Sequence, residues 1–129
     1  MPKGSLLHVL VVDDQRTMRT LVRESLAQMG CHNVREAGDG VEALEELRAF
    51  PAHLVISDLN MPNMDGLKLL ATIRADPQLK RVGFIMLTSQ GERDLVKKAV
   101  ELGVNNYLVK PFSLASIRQK VEAVVGQVT

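Results

Sequence analysis

The sequence is poor in aromatic residues, with no tryptophan, one tyrosine and three phenylalanines among its 129 residues. A protein that binds flavin mononucleotide packs the ring of its cofactor against flat, largely apolar side chains, and aromatic residues supply most of that surface. The shortage of such residues therefore argues against a flavin-binding protein.

Cysteine and an excess of one charge are also missing. Cys31 is the single cysteine, so no disulfide can form within the chain, and no signal peptide opens the sequence. We therefore expect a cytoplasmic protein. The 16 basic and 15 acidic side chains leave a net charge of +1, which argues against a nucleic-acid or membrane-surface binder. No apolar stretch approaches the roughly 20 residues that cross a bilayer, so no membrane insertion is expected.

What the sequence contains is a regular alternation of strand-like and helix-like segments. Short apolar runs predict five strands, at residues 8–12, 33–37, 55–58, 83–87 and 106–109. Apolar residues at helical spacing follow each strand and predict five helices, and the residues expected on their buried faces include Leu21, Val41, Leu102, Leu114 and Val128. Residues 1–129 are interpreted as a single domain without an output domain.

This alternation indicates an α/β fold, with a parallel sheet covered by helices on both faces. If the second strand lies at the edge, the strand order is 2-1-3-4-5, a flavodoxin-like doubly wound arrangement. Ligands of such sheets bind outside the carboxyl ends of the strands, where the strand order reverses. The polar residues expected to meet at that edge are Asp13, Asp14, Asp58, Thr88, Ser89 and Lys110.

Asp58 is the centre of this predicted site. An isolated acid at a strand end is more often a turn cap than a reactive group, but its convergence with the other polar strand ends favours the reactive role. Three neighbouring carboxylates repel one another unless a cation neutralises them, and an all-oxygen site suits Mg²⁺. Asp58 as nucleophile, Lys110 as balancing cation and Thr88 as hydroxyl donor form a set suited to phosphoryl transfer.

Four segments resemble a known family. They are VVDD at 11–14, NMPNMDG at 60–66, TIRAD at 72–76 and LVKPF at 108–112. In this order, the segments resemble the receiver domains of bacterial two-component signalling, and in particular the single-domain response regulators of chemotaxis. The resemblance extends over nearly the whole chain.

The resemblance implies that Asp58 accepts a phosphoryl group from a histidine kinase or a phosphotransfer protein. It also implies that Asp14, Asp58 and the backbone carbonyl of Asn60 bind Mg²⁺ directly, while Asp13 acts through a water molecule. The only enzymatic chemistry expected is self-directed phosphotransfer and autodephosphorylation.

A switch pair, Thr88 and Tyr107, is implied in the same way. The hydroxyl of Thr88 would move toward the phosphoryl group and the ring of Tyr107 would turn inward. This would bias the surface of the fourth helix, fifth strand and fifth helix toward a partner. The bond between Lys110 and Pro111 is usually cis in this family, and an X-Pro bond permits this.

Three outputs share this predicted site. A monomer that binds the flagellar motor switch protein and is reset by a phosphatase is favoured, and a phosphate sink or a phosphorelay intermediate is the alternative. An aspartate-dependent hydrolase of small phosphate esters is less favoured, because it needs a second acid two residues after the nucleophile. Asn60 occupies that position.

Other polar residues near the strand ends are interpreted as structural. Asp39 and Asp65 stand next to glycines and are predicted to be turn residues, and Ser89 is predicted to cap the fourth helix. A solvated face is the expected environment for the basic residues of the first helix, Arg16, Arg19 and Arg23.

Overall fold

The computed structural model describes residues 6–126, and in this range five strands alternate with five helices. None of these helices has the length and apolar character needed to cross a bilayer. The elements in chain order are β1 (His8–Val12), α1 (Arg16–Gln28), β2 (Asn33–Ala37), α2 (Gly40–Ala49), β3 (Leu54–Asp58), α3 (Gly66–Ala75), β4 (Gly83–Thr88), α4 (Arg93–Glu101), β5 (Asn106–Val109) and α5 (Leu114–Val125).

The five strands form one parallel sheet in the order β2-β1-β3-β4-β5, as the sequence predicts. Val12 pairs with Ser57 in the register of β1 and β3, and Thr88 pairs with Val109 in that of β4 and β5. The strands therefore end at nearly the same level. The residues that follow β1, β3, β4 and β5 meet at one edge of the sheet.

The hydrophobic core lies on both faces of the sheet. Successive residues of a strand point to opposite faces, so Leu10 and Val12 of β1 face one core cluster while Val9 and Val11 face the other. The first cluster includes buried residues of α2 and α3, and the second includes those of α1 and α5. This two-sided burial explains why β1, β3 and β4 are continuous apolar runs rather than alternating ones.

Four residues expected on buried helix faces are exposed. Leu21 is 45% exposed, Val41 43%, Leu102 37% and Leu114 39%. Val41 and Leu114 lie in the first turns of their helices, Leu102 is the C-cap of α4, and Leu21 lies beside the buried part of α1. Side chains at the ends and margins of a helix reach beyond the face that packs on the sheet. The fifth residue, Val128, lies outside the described residues.

The helix N-termini correct three of the structural interpretations. The side chains of Asp39 and Asp65 accept hydrogen bonds from backbone N–H groups in the first turns of α2 and α3, so both residues are N-caps rather than simple turn residues. Ser89 does not cap α4, because the loop after β4 continues to Glu92 before the helix begins. Ser113 caps α5 in a capping box with Ser116.

Glu36 of β2 pairs with two arginines of α1. Its oxygens lie 2.9 Å from Arg19 Nε and 2.9 Å from Arg23 Nη1, and Arg19 Nη1 also donates to the backbone carbonyl of Asp13. Arg16 is exposed, as expected of a solvated face. The same expectation is wrong for Arg19, which is partly buried, and Arg23 is exposed but paired. Glu36 on the edge strand supplies the negative charge that holds both arginine side chains against β2.

Arg74 of the TIRAD segment lies on α3 and joins two loops. Its guanidinium donates to the carbonyls of Lys80, Val82 and Gly103 and to Oδ1 of Asn105. Burial lowers the pKa of Arg74 from its ordinary value, although the carbonyl acceptors are well placed for the charged form. This arginine ties the end of α3 to the loop before β4 and to the loop before β5.

Candidate functional site

Three carboxylates meet at the carboxyl edge of the sheet. Asp13 and Asp14 directly follow β1, and Asp58 is the last residue of β3. One oxygen of each lies within 4.8 Å of those of the other two. Asp13 and Asp58 are buried, whereas Asp14 is exposed. The structure thus brings together the three acids that the sequence predicts to converge.

Asp13 lies deepest in this cluster. Its Oδ1 accepts a hydrogen bond of 2.9 Å from the backbone N–H of Gln15, but its Oδ2 is buried without a hydrogen-bond partner. Burial raises the pKa of Asp13 from 3.8 to about 6, and the charges of Asp58 and Asp14 add to the effect, while Lys110 opposes it. The deepest carboxylate of the site therefore lacks full compensation of its charge.

Lys110 connects the fifth strand to the acids. Its Nζ donates a 2.8 Å hydrogen bond to Oδ1 of Asp58 and lies 3.7 Å from Oδ2 of Asp13. The bond between Lys110 and Pro111 is cis, which confirms the expectation drawn from the resemblance. The ammonium group contacts two of the three acids, and a net negative charge remains at the site.

These acids fit a hard divalent cation. The donors are all oxygen, the site is small, and one buried oxygen has no hydrogen-bond partner. Mg²⁺ prefers one or two carboxylates together with water and phosphate oxygens, and its charge would oppose the burial and the carboxylate repulsion that raise the pKa of Asp13. The residues present therefore suit this ion. Asn60 stands two residues after Asp58, at the start of the loop that leads to α3.

Thr88 and Tyr107, the predicted switch pair, line one groove of about 430 Å³ beside α4. Thr88 ends β4 and is buried, and its Oγ1 has no hydrogen-bond partner. Tyr107 lies on β5 and is 39% exposed, with Lys120 Nζ 5.7 Å from the centre of its ring. The buried hydroxyl of Thr88 is therefore available to donate a new hydrogen bond, and the ring of Tyr107 borders the open groove.

The loop from Leu59 to Asp65 is held from both sides by carboxylates that lie outside the predicted site. On one side, Asn63 Nδ2 donates to Oδ2 of Asp39 at 2.7 Å. On the other, Asn60 Nδ2 donates to Oε2 of Glu92 at 2.5 Å. The backbone N–H of Glu42, and then Asn63, lower the pKa of Asp39. These contacts anchor the loop that carries the Asn60 carbonyl.

Only part of this anchoring leaves a signal in the sequence. Asp39 is followed three residues later by Glu42, whose carboxylate accepts from the backbone N–H of Gly38, a spacing typical of helix starts. No comparable pattern marks Glu92. Its contact with Asn60 joins residues 32 positions apart and depends on the path of two loops.

Gly66 keeps the backbone close beneath Asp58. A Cβ atom at Gly66 would lie 2.5 Å from the carbonyl oxygen of Asp58 and 2.8 Å from Sδ of Met86. The backbone N–H of Gly66 donates to the carbonyl of Leu59 at 2.9 Å. Only a residue without a side chain permits this approach, which fixes the turn that follows the central acid.

Comparisons with known proteins agree with this geometry. The family described as "Response regulator receiver domain" matches residues 9–122. A Rhizobium etli protein described as "Probable chemotaxis protein CheY" is 46% identical over 120 residues, 93% of each chain. Chemotaxis protein CheY-3 of Vibrio cholerae is 40% identical over 118 residues, 92% of this chain and 91% of that protein. The structure of the chemotaxis response regulator CheY4 of Vibrio cholerae superposes with a TM-score of 0.82 at 31% identity, covering 90% of this chain and 96% of that one.

Proposed function

The chain belongs to the response regulator receiver domain family, and from this we propose that it is a phosphoacceptor switch of a chemotaxis two-component system. The observation that carries the proposal is the hydrogen bond of 2.8 Å from Lys110 Nζ to Asp58 Oδ1, within a cluster of three carboxylates. An acid held in this way, at the carboxyl edge of a parallel sheet, is oriented for nucleophilic attack.

In the proposed reaction, a carboxylate oxygen of Asp58 attacks the phosphorus of a phosphohistidine on a kinase or phosphotransfer protein. The new bond joins this oxygen to phosphorus, and the bond from phosphorus to the imidazole nitrogen breaks, so the histidine leaves with the electron pair. Lys110 holds Oδ1 and orients the carboxylate for attack by its other oxygen. Lys110 also balances charge on the phosphoryl oxygens.

Mg²⁺ would be held by Asp14, Asp58 and the carbonyl of Asn60, with Asp13 acting through a water molecule. The bound ion supplies positive charge that stabilises the phosphoryl oxygens during transfer. The buried Oδ2 of Asp13, which has no hydrogen-bond partner, supports this assignment because a water molecule on the ion would satisfy it.

The signal is proposed to leave through the groove beside α4. The hydroxyl of Thr88 would hydrogen-bond the phosphoryl group on Asp58, and Tyr107 would then turn into the groove that both residues line. The surface of α4, β5 and α5 would change its affinity for a partner. Because the curated relatives are chemotaxis proteins, we propose the flagellar motor switch as that partner and the cytoplasm as its location.

Labelling with acetyl phosphate tests the acceptor role. The wild type should gain one phosphoryl group in the presence of Mg²⁺, measured by intact mass spectrometry, and Asp58→Ala should gain none. Asp94→Ala is the control, because it removes an exposed acid from α4. Undiminished labelling of Asp58→Ala would refute the assignment, and labelling that persists in EDTA would refute the role of the metal.

The output partner needs a separate experiment. The protein with beryllofluoride, which stands in for the phosphoryl group on Asp58, is incubated with purified flagellar switch protein. Binding that requires beryllofluoride would support the motor role. Absence of binding, together with exchange of phosphoryl groups with phosphotransfer proteins, would favour a phosphate sink or a phosphorelay intermediate.

A further inference from the structure

We propose that Glu92 is a positioning residue that restrains the site in its unphosphorylated form by bridging the loops that follow β3 and β4. The inference rests on the proposed function and adds a residue whose side chain belongs neither to the carboxylate cluster nor to the switch pair. It assigns Glu92 a regulatory role, as a restraint that is released when Asp58 is phosphorylated.

Glu92 occupies the N-cap position of α4, but its side chain makes no hydrogen bond to that helix. Its Oε1 instead accepts from the backbone N–H of Ser89 at 2.5 Å, and its Oε2 accepts from Nδ2 of Asn60 at 2.5 Å. Each carboxylate oxygen thus holds a different loop. Hydrogen bonds to an ionised acceptor are among the stronger ones in proteins.

Both partners of Glu92 adjoin the proposed machinery. Asn60 would lend its backbone carbonyl to the metal, and Ser89 directly follows Thr88. The peptide group between Thr88 and Ser89 is fixed at both of its polar atoms. Its N–H donates to Glu92, and its carbonyl accepts from the backbone N–H of Lys110 at 2.7 Å.

This double attachment opposes the movement that Thr88 must make. The Oγ1 of Thr88 is buried and lacks a hydrogen-bond partner, and it must approach the phosphoryl group on Asp58 to bind it. Such a movement carries the attached peptide with it, and the bond from Ser89 to Glu92 lengthens. The Glu92 bridge therefore favours the unphosphorylated arrangement.

The opposite side of the same loop does not offer an equivalent release. Asp39 holds Asn63, but Oδ1 of Asp39 is also bonded to the backbone N–H of Glu42 in the first turn of α2. Asp39 is thereby tied to a helix that packs in the core. The Glu92 side can open without breaking a side-chain cap, because the Glu92 side chain makes no hydrogen bond to α4.

Glu92→Ala should therefore bind beryllofluoride more tightly than the wild type. We expect a tightening of roughly three- to tenfold, the range for loss of one or two partly exposed hydrogen bonds to a charged group. Isothermal titration calorimetry at saturating Mg²⁺ measures the affinity for beryllofluoride. Glu92→Gln, which keeps the shape and one acceptor oxygen, should show an intermediate shift.

Asp94→Ala is the matched control for charge. It removes one acid from the first turn of the same helix, and Asp94 forms no ion pair with any residue between 6 and 126. Its affinity for beryllofluoride should stay near that of the wild type. Equal tightening in Asp94→Ala and Glu92→Ala would overturn the bridge, because general charge removal would then account for both.

A second readout uses the metal-free protein. In Glu92→Ala, the NMR resonances of the Asn60 side-chain amide and of the Ser89 backbone amide should shift, and those of Asn63 should stay in place. Unmoved Asn60 and Ser89 resonances would overturn the proposal, as would unchanged or weaker beryllofluoride binding by Glu92→Ala. A wild type that binds no beryllofluoride at all would instead overturn the proposed function itself.

Discussion

Two halves of the molecule, one made of β1, β3, α2 and α3 and the other of α4 and β5, differ in how completely they are packed. All five residues of β3 and four of the five in β1 are buried, and α2 and α3 each bury four residues. In the other half, β5 buries only Leu108 and α4 buries only Ala99. The three carboxylates lie at the ends of β1 and β3, in the well-packed half, whereas Tyr107 of the predicted switch pair lies on β5, in the loosely packed half.

This difference in packing suits two different requirements of the proposed function. Attack by Asp58 requires atoms held in fixed positions, which close packing provides. A change of surface requires elements that can repack at low free energy, and those are elements with few buried contacts. The packing therefore suits a rigid acceptor site beside a surface, at α4 and β5, that can change its conformation.

The largest contrast should appear when each half loses side-chain volume. Leu70→Ala in α3 removes a fully buried side chain and should lower the free energy of unfolding by about 2–5 kcal/mol. Val100→Ala in α4 removes a side chain that is 59% exposed, and it should change the free energy of unfolding by less than about 0.5 kcal/mol. Urea denaturation measures both, and similar losses would contradict the division between the halves.

Gly66→Ala should have the next largest effect. The added Cβ meets the backbone carbonyl of Asp58, which cannot rotate away as a side chain can, so we expect a loss of about 1–3 kcal/mol. Gly91→Ala tests the loosely packed half, where the added Cβ would meet nothing within 4 Å and the only strain comes from a φ of +91°. Thermal denaturation should show the smaller loss for Gly91→Ala.

Asp13→Asn should stabilise the metal-free protein. The folded state raises the pKa of Asp13 from 3.8 to about 6, so this group favours folding below about pH 4 and loses that contribution as the pH rises through 6. An asparagine cannot ionise, and at pH 7.5 the variant should gain about 1–3 kcal/mol. The gain should vanish near pH 3.5 and shrink with saturating Mg²⁺; a gain independent of pH would contradict this explanation.

The smallest effect on stability is expected at Tyr107. Tyr107→Phe removes a hydroxyl from a partly exposed ring and should change the free energy of unfolding by less than about 0.5 kcal/mol. Its effect should appear instead in partner binding with beryllofluoride, measured by surface plasmon resonance. A large loss of stability would show that Tyr107 packs like a core residue of the other half.

The parts of the fold that depend on local pattern were predictable. The continuous apolar runs in the sequence predicted where β1, β3 and β4 lie. The end of each run showed which acids lie at the carboxyl ends of β1 and β3. The exposure of Leu102 and Leu114 was not predictable, because helical spacing shows which side of a helix is apolar but not where the helix overhangs the sheet.

The contacts of the site were predictable only in part. Convergence of Asp13, Asp58 and Lys110 follows from strand order, since parallel strands end at one edge. The bridge from Glu92 to Asn60 depends on backbone conformation in two loops, for which the sequence offers no periodic signal. Ser89 was predicted as a cap for the same reason: the end of β4 was visible in the sequence, but the length of the following loop was not.

Tyr107 is the only tyrosine of the chain, and this has a practical consequence. No tryptophan is present in the chain, so the emission of its single tyrosine is not lost by energy transfer to an indole. The ring lies on the surface that is proposed to change, beneath the ammonium group of Lys120. We therefore expect the ultraviolet fluorescence of Tyr107 to report the proposed change of this surface without an attached dye.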